Sequence, residues 1–477
     1  MPSTEKPDAE SLKEGPPLLD APRATRTGLL LAVVCAVQFL DAMDIASMGP
    51  ALPVIQHDLG MSAGALQRVV SAYSLAFGGF LLLGGRLADL FGRKKLLLGW
   101  LAVFVIASIT GGLTDNGTVL VIARLLKGVS AGFTAPVALA ILLDVFRGEH
   151  ERNRALGVFL AIASAGYSLG LVFGGLLADI NWRLVLFLPA LTGLLVIALA
   201  VATVPADRPR QGERGRVDVL GAVAVTGGVV ALAYGVSHAS TDGWTTPVTI
   251  TTLAAAIVLL VLFVLIERAH KAPLVPLVIF TRPQLSRANI CMLFFGAYVG
   301  FQFVLTLYYQ NTLGWSPLQA GLAFLLGGVL TATAARGGAA TVTRYGAWPV
   351  ATAGLLLLTV GYLGWALLIG HLSPILLLLA QQLLGGIGFA GAYPALSIAA
   401  VGQAGESEQG LASGLFNTSS QIGAGLVIAI TASALTLTGG SGLDSYRAGL
   451  WTLTIINALV TITAAMGIAR YRRHPTP

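Results

Sequence analysis

The chain has 477 residues, of which 55% are hydrophobic and only 11% are charged, and its mean hydropathy is +0.80. A soluble protein carries roughly a quarter charged residues, so a chain this apolar lacks the polar surface needed to cover its core in water. The net charge of +7 does not indicate a nucleic-acid partner, because the basic residues cluster at the ends of apolar segments. The composition therefore excludes a water-soluble enzyme and predicts a membrane protein.

The apolar segments of the chain have the length of membrane spans. A bilayer core of about 30 Å is crossed by about 20 apolar residues in a helix. Fourteen such segments occur between charged residues, glycines or prolines, and we expect an all-α polytopic membrane protein with fourteen transmembrane helices. They lie at 28–52, 66–88, 96–114, 118–143, 156–178, 183–204, 218–238, 247–267, 287–311, 318–342, 347–370, 373–399, 410–436 and 446–469.

The distribution of lysine and arginine predicts the orientation. If the N-terminus is cytoplasmic, 24 of the 29 basic residues fall on the cytoplasmic side, as the positive-inside rule requires. An even number of spans then places both termini in the cytoplasm. Residues 1–27 are charged and contain proline and glycine, which predicts a disordered cytoplasmic tail, and residues 471–477 form a second, short tail.

Short sequence patterns recur along the chain at an offset that drifts from 254 to 257 residues. The matching pairs include Leu59-Gly60 with Leu313-Gly314, Phe91-Gly92 with Tyr345-Gly346, and Gly157 with Gly414. This repeat predicts two related six-helix halves, 28–204 and 286–470, separated by a segment at 205–285 with two additional helices. Two parallel halves around a central cavity are one design of secondary transporters.

The loop after the second predicted span carries a known motif. Residues 85–95 read GRLADLFGRKK and resemble the loop 2–3 signature of the major facilitator superfamily, G-x-L-x-D-x-x-G-R-[KR]. The residues of this candidate gate are Gly85, Asp89, Gly92, Arg93 and Lys94. The resemblance implies the major facilitator fold and a network that stabilises one conformation of the alternating-access cycle. We expect Asp89 to cap a helix end or to pair with an arginine.

Two acidic residues, Asp41 and Asp44, lie on one face of the first span. A charge at the bilayer centre costs at least about 2.5–3.5 kcal/mol, so such residues serve a function or have a partner. Asp44 and residues 51–53 resemble the L-D-x-T-x-x-N-x-A-L-P motif of fourteen-helix drug:proton antiporters, with Ala46 and Gly49 replacing its threonine and asparagine. We expect a proton-coupling site with Asp44 favoured; a counter-ion for a cationic substrate and a structural contact are the alternatives.

Two further motifs resemble the same family. Arg124 and Gly128 in the fourth span match its R-x-x-x-G signature. Arg124 needs an acceptor, and we expect a carboxylate of the first span unless the arginine extends to the outer surface. The fifth span matches the antiporter motif G-x-x-x-G-P-x-x-G-G, with Leu171 in place of proline, and close helix packing explains its glycines nearly as well. These glycines are Gly166, Gly170, Gly174 and Gly175.

The second half has no acidic residue within a predicted span. It carries neutral polar and aromatic side chains instead, which suit the recognition of amphiphilic ligands. The candidates for a substrate cavity are Tyr298, Gln302, Gln381, Gln382, Tyr393, Asn417 and Gln421. Each of them is also compatible with a hydrogen bond between helices.

The resemblance implies a proton-coupled secondary transporter that exports hydrophobic or cationic small molecules, such as drugs or antibiotics. Its partners are then the substrate, protons and the lipid bilayer, without nucleic acid, and it is expected to act as a monomer in a bacterial inner membrane. The sequence contains no nucleophile–base pair and no metal-ligand spacing, so we expect no enzymatic activity, cofactor or metal. The alternative is a proton symporter, or a lipid, siderophore or metabolite carrier, of the same fold.

Overall fold

The computed structural model describes residues 21–146, 148–205, 207, 218–270, 273, 275–402, 409–438 and 442–471. Within these ranges the chain forms α-helices, one 3-10 segment and one π segment, and no β-strand. The predicted all-α class is therefore confirmed. Most of the two predicted tails, at 1–20 and 472–477, lies outside the described residues.

Eight helices form the first part of the chain. They are α1 (Ala21–Asp58), α2 (Ala63–Phe91), α3 (Arg93–Leu113), α4 (Gly117–Val145), α5 (Glu149–Asn181), α6 (Leu184–Thr203), α7 (Val219–Asp242) and α8 (Pro247–Ala269). Helix α1 begins at Ala21, seven residues before the start of the first predicted span, and the extent of the N-terminal tail stays a prediction. Each residue added to an existing helix gains a hydrogen bond, and Pro22 stands in the first turn, where its missing N–H group is no loss.

The second part begins with a 3-10 segment, Leu277–Thr281, and contains one interrupted span. The helices are α9 (Pro283–Phe294), α10 (Ala297–Leu307), α11 (Pro317–Tyr345), α12 (Ala347–Leu368), α13 (Pro374–Val401), α14 (Gln409–Leu437) and α15 (Leu443–Tyr471), with a π segment at Tyr308–Thr312. The ninth predicted span, 287–311, is thus not one regular helix. It is interrupted at Gly296, which packs directly against the backbone of Gly423 on α14.

The helices have the length and surface of membrane spans. Eleven helical segments among the described residues are long and apolar enough to cross a bilayer, and shorter apolar stretches lie in α7 and α11. Helix α8 is nearly all apolar, yet side chains such as Ile257 and Val261 are exposed. An apolar surface of this extent fits lipid better than water. Each of the fourteen predicted spans falls on helical segments, but the number of fourteen crossings stays a prediction.

The helices pack into two bundles, α1–α6 and α9–α15. The bundles meet at two seams, α2 against α14 and α5 against α11. Adding the predicted repeat offset to the residue numbers of α2 gives those of α11, and adding it to those of α5 gives those of α14. The seam of α2 with α14 is therefore the counterpart of the seam of α5 with α11. Helices α7 and α8 pack as a pair, and α7 also contacts α2 and α14; there the Thr226 hydroxyl donates to the Gly79 carbonyl at 3.0 Å. The exact boundaries of the two halves stay predictions.

Glycines that the repeat pairs with each other have matching backbone conformations. Gly60 and Gly314 have φ angles of +60° and +68°, and Gly92 and Gly346 have φ angles of +96° and +86°. Glycine adopts positive φ at little cost because it lacks a Cβ atom. The turns at corresponding positions of the two halves are therefore built in the same way, which supports the predicted repeat.

Candidate functional site

A buried ionic cluster lies between α1 and α4 in the first bundle. Asp44 Oδ2 lies 2.5 Å from Arg124 Nη1, and Asp44 Oδ1 contacts Lys127 Nζ. All three side chains are at most 1% exposed. Charges at this depth are tolerated when they are paired, and here two cations share a single carboxylate.

Other side chains hold the two cations in place. Arg124 Nε donates to the Val69 carbonyl at 3.1 Å, and its Cζ lies 4.5 Å from the centre of the Tyr73 ring, also on α2. Lys127 Nζ lies 4.6 Å from the centre of the Phe104 ring on α3. The aromatic rings cover the cations and attract them electrostatically. Three helices therefore fix the positions of Arg124 and Lys127.

Asp41 lies one turn before Asp44 and is only 2% exposed. The hydroxyl of Thr134 on α4 lies 3.2 Å from Asp41 Oδ2 and 3.1 Å from the carbonyl of Ser130. In the part of the chain that the structure describes, no cation lies within ion-pair distance of Asp41. The two carboxylates thus have different partners, two cations for Asp44 and a neutral hydroxyl for Asp41.

The structure brings Arg124 to a carboxylate of the first span, whereas the sequence motifs did not single out Lys127. A signal for Lys127 was present, because a lysine three residues after Arg124 lies on the same helix face. Gly128 completes this face. A Cβ atom there would collide with the backbone of Tyr73, so the glycine allows α4 to lie directly against α2.

Three of the four motif glycines of α5 face α1, where a Cβ atom would collide with backbone atoms. The contacting pairs are Gly166 with Phe39, Gly170 with Met43, and Gly174 with Ser47. The spacing of four residues on both helices is that of interdigitating ridges. These glycines let α5 lie directly against the part of α1 that carries the carboxylates. Gly175 faces α11 instead, and a Cβ atom there would lie 2.5 Å from the Pro317 carbonyl oxygen.

The motif after α2 links three helices at one end of the first bundle. Arg93 Nη1 donates to the Ala140 carbonyl at 2.8 Å and contacts the carboxylate of Asp144, both on α4. Lys94 Nζ donates to two carbonyls at the C-terminal end of α6, at 2.7 and 2.8 Å. A cation at this end of a helix also interacts favourably with the helix dipole. The N-terminus of α3 is thereby fastened to α4 and α6.

Gly92 forms the sharp turn between α2 and α3, with a φ angle of +96°. Asp207, which follows α6, accepts hydrogen bonds from the backbone N–H groups of residues 94–95 at 2.9 and 3.2 Å. An acceptor at this place satisfies free N–H groups at the start of α3. Gly85 lies on the face of α2 that meets α4. The side chain of Asp89 lies outside the described residues, so its predicted capping role stays a prediction.

A small pocket lies in the second bundle, between α10, α11 and α13. Three predicted cavity residues, Tyr298, Gln302 and Gln381, line it together with Gln382 and several aromatic and aliphatic side chains. As far as the structure describes it, the lining is uncharged. The side chain of Gln382 is bound to the Ala323 carbonyl. Its free volume of about 10 Å³ has room for about one water molecule in this conformation.

The pocket is connected to the first bundle by a hydrogen bond. The hydroxyl of Tyr167 on α5 donates to Gln302 Oε1 at 2.6 Å. A second bond between the bundles joins Gln310 Nε2 to the Pro50 carbonyl at 2.7 Å. The motifs did not single out Tyr167, although it directly follows Gly166. Side chains of both bundles therefore meet at the edge of the pocket.

The remaining cavity candidates lie at different places. The ring of Tyr393 stacks on that of Phe389 with centres 5.4 Å apart, and Phe389 lies 4.6 Å from the ring of Tyr298, so Tyr393 belongs to an aromatic cluster beside the pocket. Asn417 is exposed and donates to a carbonyl one turn earlier in its own helix. Gln421 lies at the seam between α14 and α2. The structure therefore does not bring Asn417 and Gln421 into the pocket.

Comparison with known proteins identifies the family. The sequence model of the Major Facilitator Superfamily matches residues 34–428. The chain is 35% identical over 428 residues to the cephamycin export protein CmcT of Amycolatopsis lactamdurans, covering 89% of this chain and 87% of that protein. It is also 35% identical over 416 residues to the puromycin resistance protein pur8 of Streptomyces alboniger, covering 84% and 80%.

The fold also resembles that of a solved transporter. The crystal structure of the POT family transporter PepTSo matches with a TM-score of 0.69 at 15% sequence identity, covering 93% of this chain and 98% of that chain. At this identity the match bears on the fold alone. The fold predicted from the motifs is therefore confirmed.

Proposed function

The chain belongs to the major facilitator superfamily of membrane transporters, and from this premise we propose that it exports hydrophobic or cationic small molecules in exchange for protons. The family generally consists of multi-pass carriers of small molecules that are not enzymes, and we assign this chain no reaction. The proposal has three parts: the direction of transport, the coupling ion and the site of coupling.

The direction is inferred from the relatives. CmcT is named as an export protein for cephamycin and pur8 as a puromycin resistance protein, and each aligns with more than four fifths of this chain. A carrier of related sequence is expected to handle compounds of similar chemistry. We therefore take antibiotics and other amphiphilic drugs as the substrate class, moved outwards.

The proposed coupling site is Asp41, and the observation that carries the proposal is that no cation among the described residues lies within ion-pair distance of it. Protonating Asp44 would leave Arg124 and Lys127 unpaired in the core, which is strongly unfavourable. Protonating Asp41 breaks no ion pair and changes the net charge of two carboxylates and two cations from zero to +1. The motif favoured Asp44 as the proton carrier, whereas these contacts favour Asp41, with Asp44 as the fixed counter-ion.

The charge change at Asp41 suggests a transport cycle. With Asp41 ionised, the cluster is neutral and the carrier binds substrate from the cytoplasm or the inner leaflet. A proton taken up from the outside adds a positive charge, weakens the binding of a cationic substrate and allows return. Proton release to the cytoplasm resets the carrier. In this cycle the contacts of Arg93 and Lys94 stabilise one of the two conformations.

The same proposal includes location and assembly. We place the carrier in a bacterial inner membrane with both termini in the cytoplasm, on the basis of its relatives and of the positive-inside distribution of lysine and arginine. Because both bundles and both seams are built from a single chain, we propose that it functions as a monomer.

Everted membrane vesicles with an acidified interior and a pH dye test this function. Adding ethidium, a lipophilic cation, to the bath should release protons from vesicles with the wild-type protein, because the exporter moves ethidium inwards there. We expect Asp41→Asn to lower this release by more than about tenfold, since the amide cannot exchange a proton. Asp179→Asn is the matched control. It removes an exposed carboxylate of α5 and should keep wild-type release.

Two results would contradict the proposal. Proton movement into the vesicle on addition of substrate would indicate symport. Proton release that persists in Asp41→Asn would remove Asp41 from the coupling step. Immunoblotting and size-exclusion chromatography of each variant show that the compared proteins are present and folded.

A further inference from the structure

The hydroxyl of Thr134 has two acceptors but only one hydrogen to donate. Its Oγ1 atom lies 3.2 Å from Asp41 Oδ2 on α1 and 3.1 Å from the Ser130 carbonyl oxygen, one turn earlier on α4. Both distances exceed the value of about 2.7–2.8 Å that is usual for a bond from a hydroxyl to an oxygen. A hydroxyl in this place is shared between two competing acceptors, and the protonation state of Asp41 decides between them.

Each protonation state of Asp41 requires a different direction of the Thr134 hydroxyl. The oxygens of an ionised carboxylate only accept hydrogen bonds, so the hydroxyl then turns to Asp41 and donates there. A protonated Asp41 donates its own hydrogen to Thr134 Oγ1, and the hydroxyl turns back to the Ser130 carbonyl, as threonines in helices commonly do. The hydrogen of Thr134 stays on its oxygen throughout. The proton that is gained and lost is that of Asp41.

The surroundings hold the hydroxyl and its second acceptor in place. Thr134 is only 1% exposed, so bulk water does not compete for its hydrogen. Ser130 Oγ donates to the Trp100 carbonyl on α3 at 2.6 Å, and the ring of Trp100 stacks on that of Phe133 with centres 4.2 Å apart. This turn of α4 is thereby fixed against α3, and the Ser130 carbonyl stays within reach of the hydroxyl.

Several charged and titratable groups face Asp41 besides Thr134. Asp44 on its own helix and Lys127 on α4 interact with it electrostatically, as does Tyr73 on α2. Arg124 is paired with Asp44. Helix α5 meets this part of α1 with glycines, and the sequences of α6 and α10 contain no charged residue. These groups stay the same when only Thr134 is replaced, so the effect of the hydroxyl can be measured by itself.

We propose that Thr134 is a positioning residue for the coupling carboxylate, whose hydroxyl turns between Asp41 and the Ser130 carbonyl as Asp41 loses and gains its proton. The inference rests on the proposed function, because it concerns the residue to which proton exchange is assigned there. A hydrogen bond to an ionised group is stronger than one to a neutral group. The hydroxyl therefore favours the ionised form and sets the pH at which Asp41 releases its proton.

Infrared spectroscopy of the purified full-length protein in detergent measures the protonation of Asp41 directly. The carbonyl stretch of a protonated carboxyl group disappears on ionisation, and the part of this band that is missing in Asp41→Asn belongs to Asp41. Thr134→Val removes the hydroxyl and keeps nearly the same shape. We expect it to raise the pH midpoint of the Asp41 band by about one unit, the difference between a charged and a neutral hydrogen bond.

Two further variants control this titration. Thr134→Ser keeps a hydroxyl in the same place and should keep the wild-type midpoint. Thr431→Val removes another buried hydroxyl, which donates to the Val427 carbonyl of its own helix at 2.7 Å, and should also leave the midpoint unchanged. A midpoint that stays the same or falls in Thr134→Val would overturn the proposal. So would an equal rise in Thr134→Ser or Thr431→Val.

Thr134→Ala serves as a second variant if Thr134→Val does not fold. It should raise the midpoint in the same direction, and an unchanged midpoint would again contradict the proposal. The titration uses neither substrate nor a proton gradient. A shifted midpoint without substrate-driven proton release from vesicles would leave the role of Thr134 standing and remove the proposed antiport. Proton release without a shifted midpoint would remove only the role of Thr134.

Discussion

At the scale of single residues, the ionic cluster depends on a balance of charge. Arg124 and Lys127 both contact Asp44, and the remaining carboxylate, Asp41, is bound by the Thr134 hydroxyl. Burying a cation without a counter-ion costs several kcal/mol. The stability of the protein should therefore respond to the number of charges left unpaired more than to which residue is replaced.

This balance predicts the effect of removing Asp44. Asp44→Asn leaves two cations facing a neutral amide, and we expect it to lower the free energy of unfolding by about 3–5 kcal/mol. In Asp44→Asn/Lys127→Met one of these cations is replaced by an apolar side chain of similar length, so part of the loss should be recovered. Thermal unfolding of the purified proteins in detergent compares the two variants by their midpoints.

Lys127→Met alone is the control for this comparison. It leaves Asp44 paired with Arg124 and leaves the contact of Asp41 with Thr134 in place, so its midpoint should lie well above that of Asp44→Asn. If the double variant is as unstable as the sum of the two single variants, the residues act independently and the idea of a shared charge balance is wrong.

The sequence predicted part of this site. Motif spacing indicated Asp44 and Arg124, and hydropathy indicated that no acidic residue lies in the spans of the second half. The motifs did not show that Lys127 also reaches Asp44, because that depends on how Gly128 lets α4 lie against α2. The same limit applies to the pocket: Gln381 and Gln302 were candidates, but so was Asn417, and helix rotation separates them.

At the scale of the helices, hydropathy located the spans and packing decided their details. The break at Gly296 in the ninth span follows from its direct contact with α14, which no local pattern of α9 and α10 encodes. The start of α1 at residue 21 was likewise not visible as an apolar run. The glycine spacing of α5 was visible, but its partner helix was not.

The contact between α5 and α1 predicts that Gly170 is essential for packing. A Cβ atom at this position would lie 2.7 Å from the Met43 carbonyl oxygen and 2.9 Å from the Ala46 Cβ atom, and the backbone cannot yield. Overpacking of this kind costs about 1–3 kcal/mol or more, so Gly170→Leu should lower the yield of folded protein and its unfolding midpoint. Fluorescence-detected size-exclusion chromatography and thermal unfolding measure both.

Gly157 provides the matched control on the same helix. Nothing lies within 4 Å of a Cβ atom at that position, and Gly157 itself is exposed. Because leucine favours the helix over glycine by up to about 1 kcal/mol, Gly157→Leu should be neutral or stabilising. Equal damage from both substitutions would mean that α5 tolerates no side chain at a glycine, irrespective of its contact with α1.

At the scale of the whole molecule, the two halves share architecture but not chemistry. The two seams are counterparts under the repeat, yet the ionic cluster lies in the first bundle and the neutral pocket in the second. Contacts between the bundles connect the two places. The hydrogen bond from Tyr167 to Gln302 is one such contact. It joins α5, the helix whose glycines pack against α1, to the edge of the pocket.

We expect alternating access to move the two bundles apart at the seam of α5 and α11, and a disulfide across this seam tests the expectation. An ideal Cβ atom at Gly328 lies 3.5 Å from the Cβ atom of Ser168, within the range of a disulfide. In a background with Cys35→Ala and Cys291→Ala, which removes both native free cysteines, Ser168→Cys/Gly328→Cys should form this bond on oxidation. Export should then stop and return on reduction.

The single variants Ser168→Cys and Gly328→Cys control for the effect of each substitution and of the oxidant, and both should export under either condition. Gel mobility after cleavage in the loop between the bundles reports whether the bond has formed. A carrier that is fully cross-linked and still exports would show that this seam stays closed throughout the cycle. The bundles would then have to separate at α2 and α14, where α7 contacts both of them.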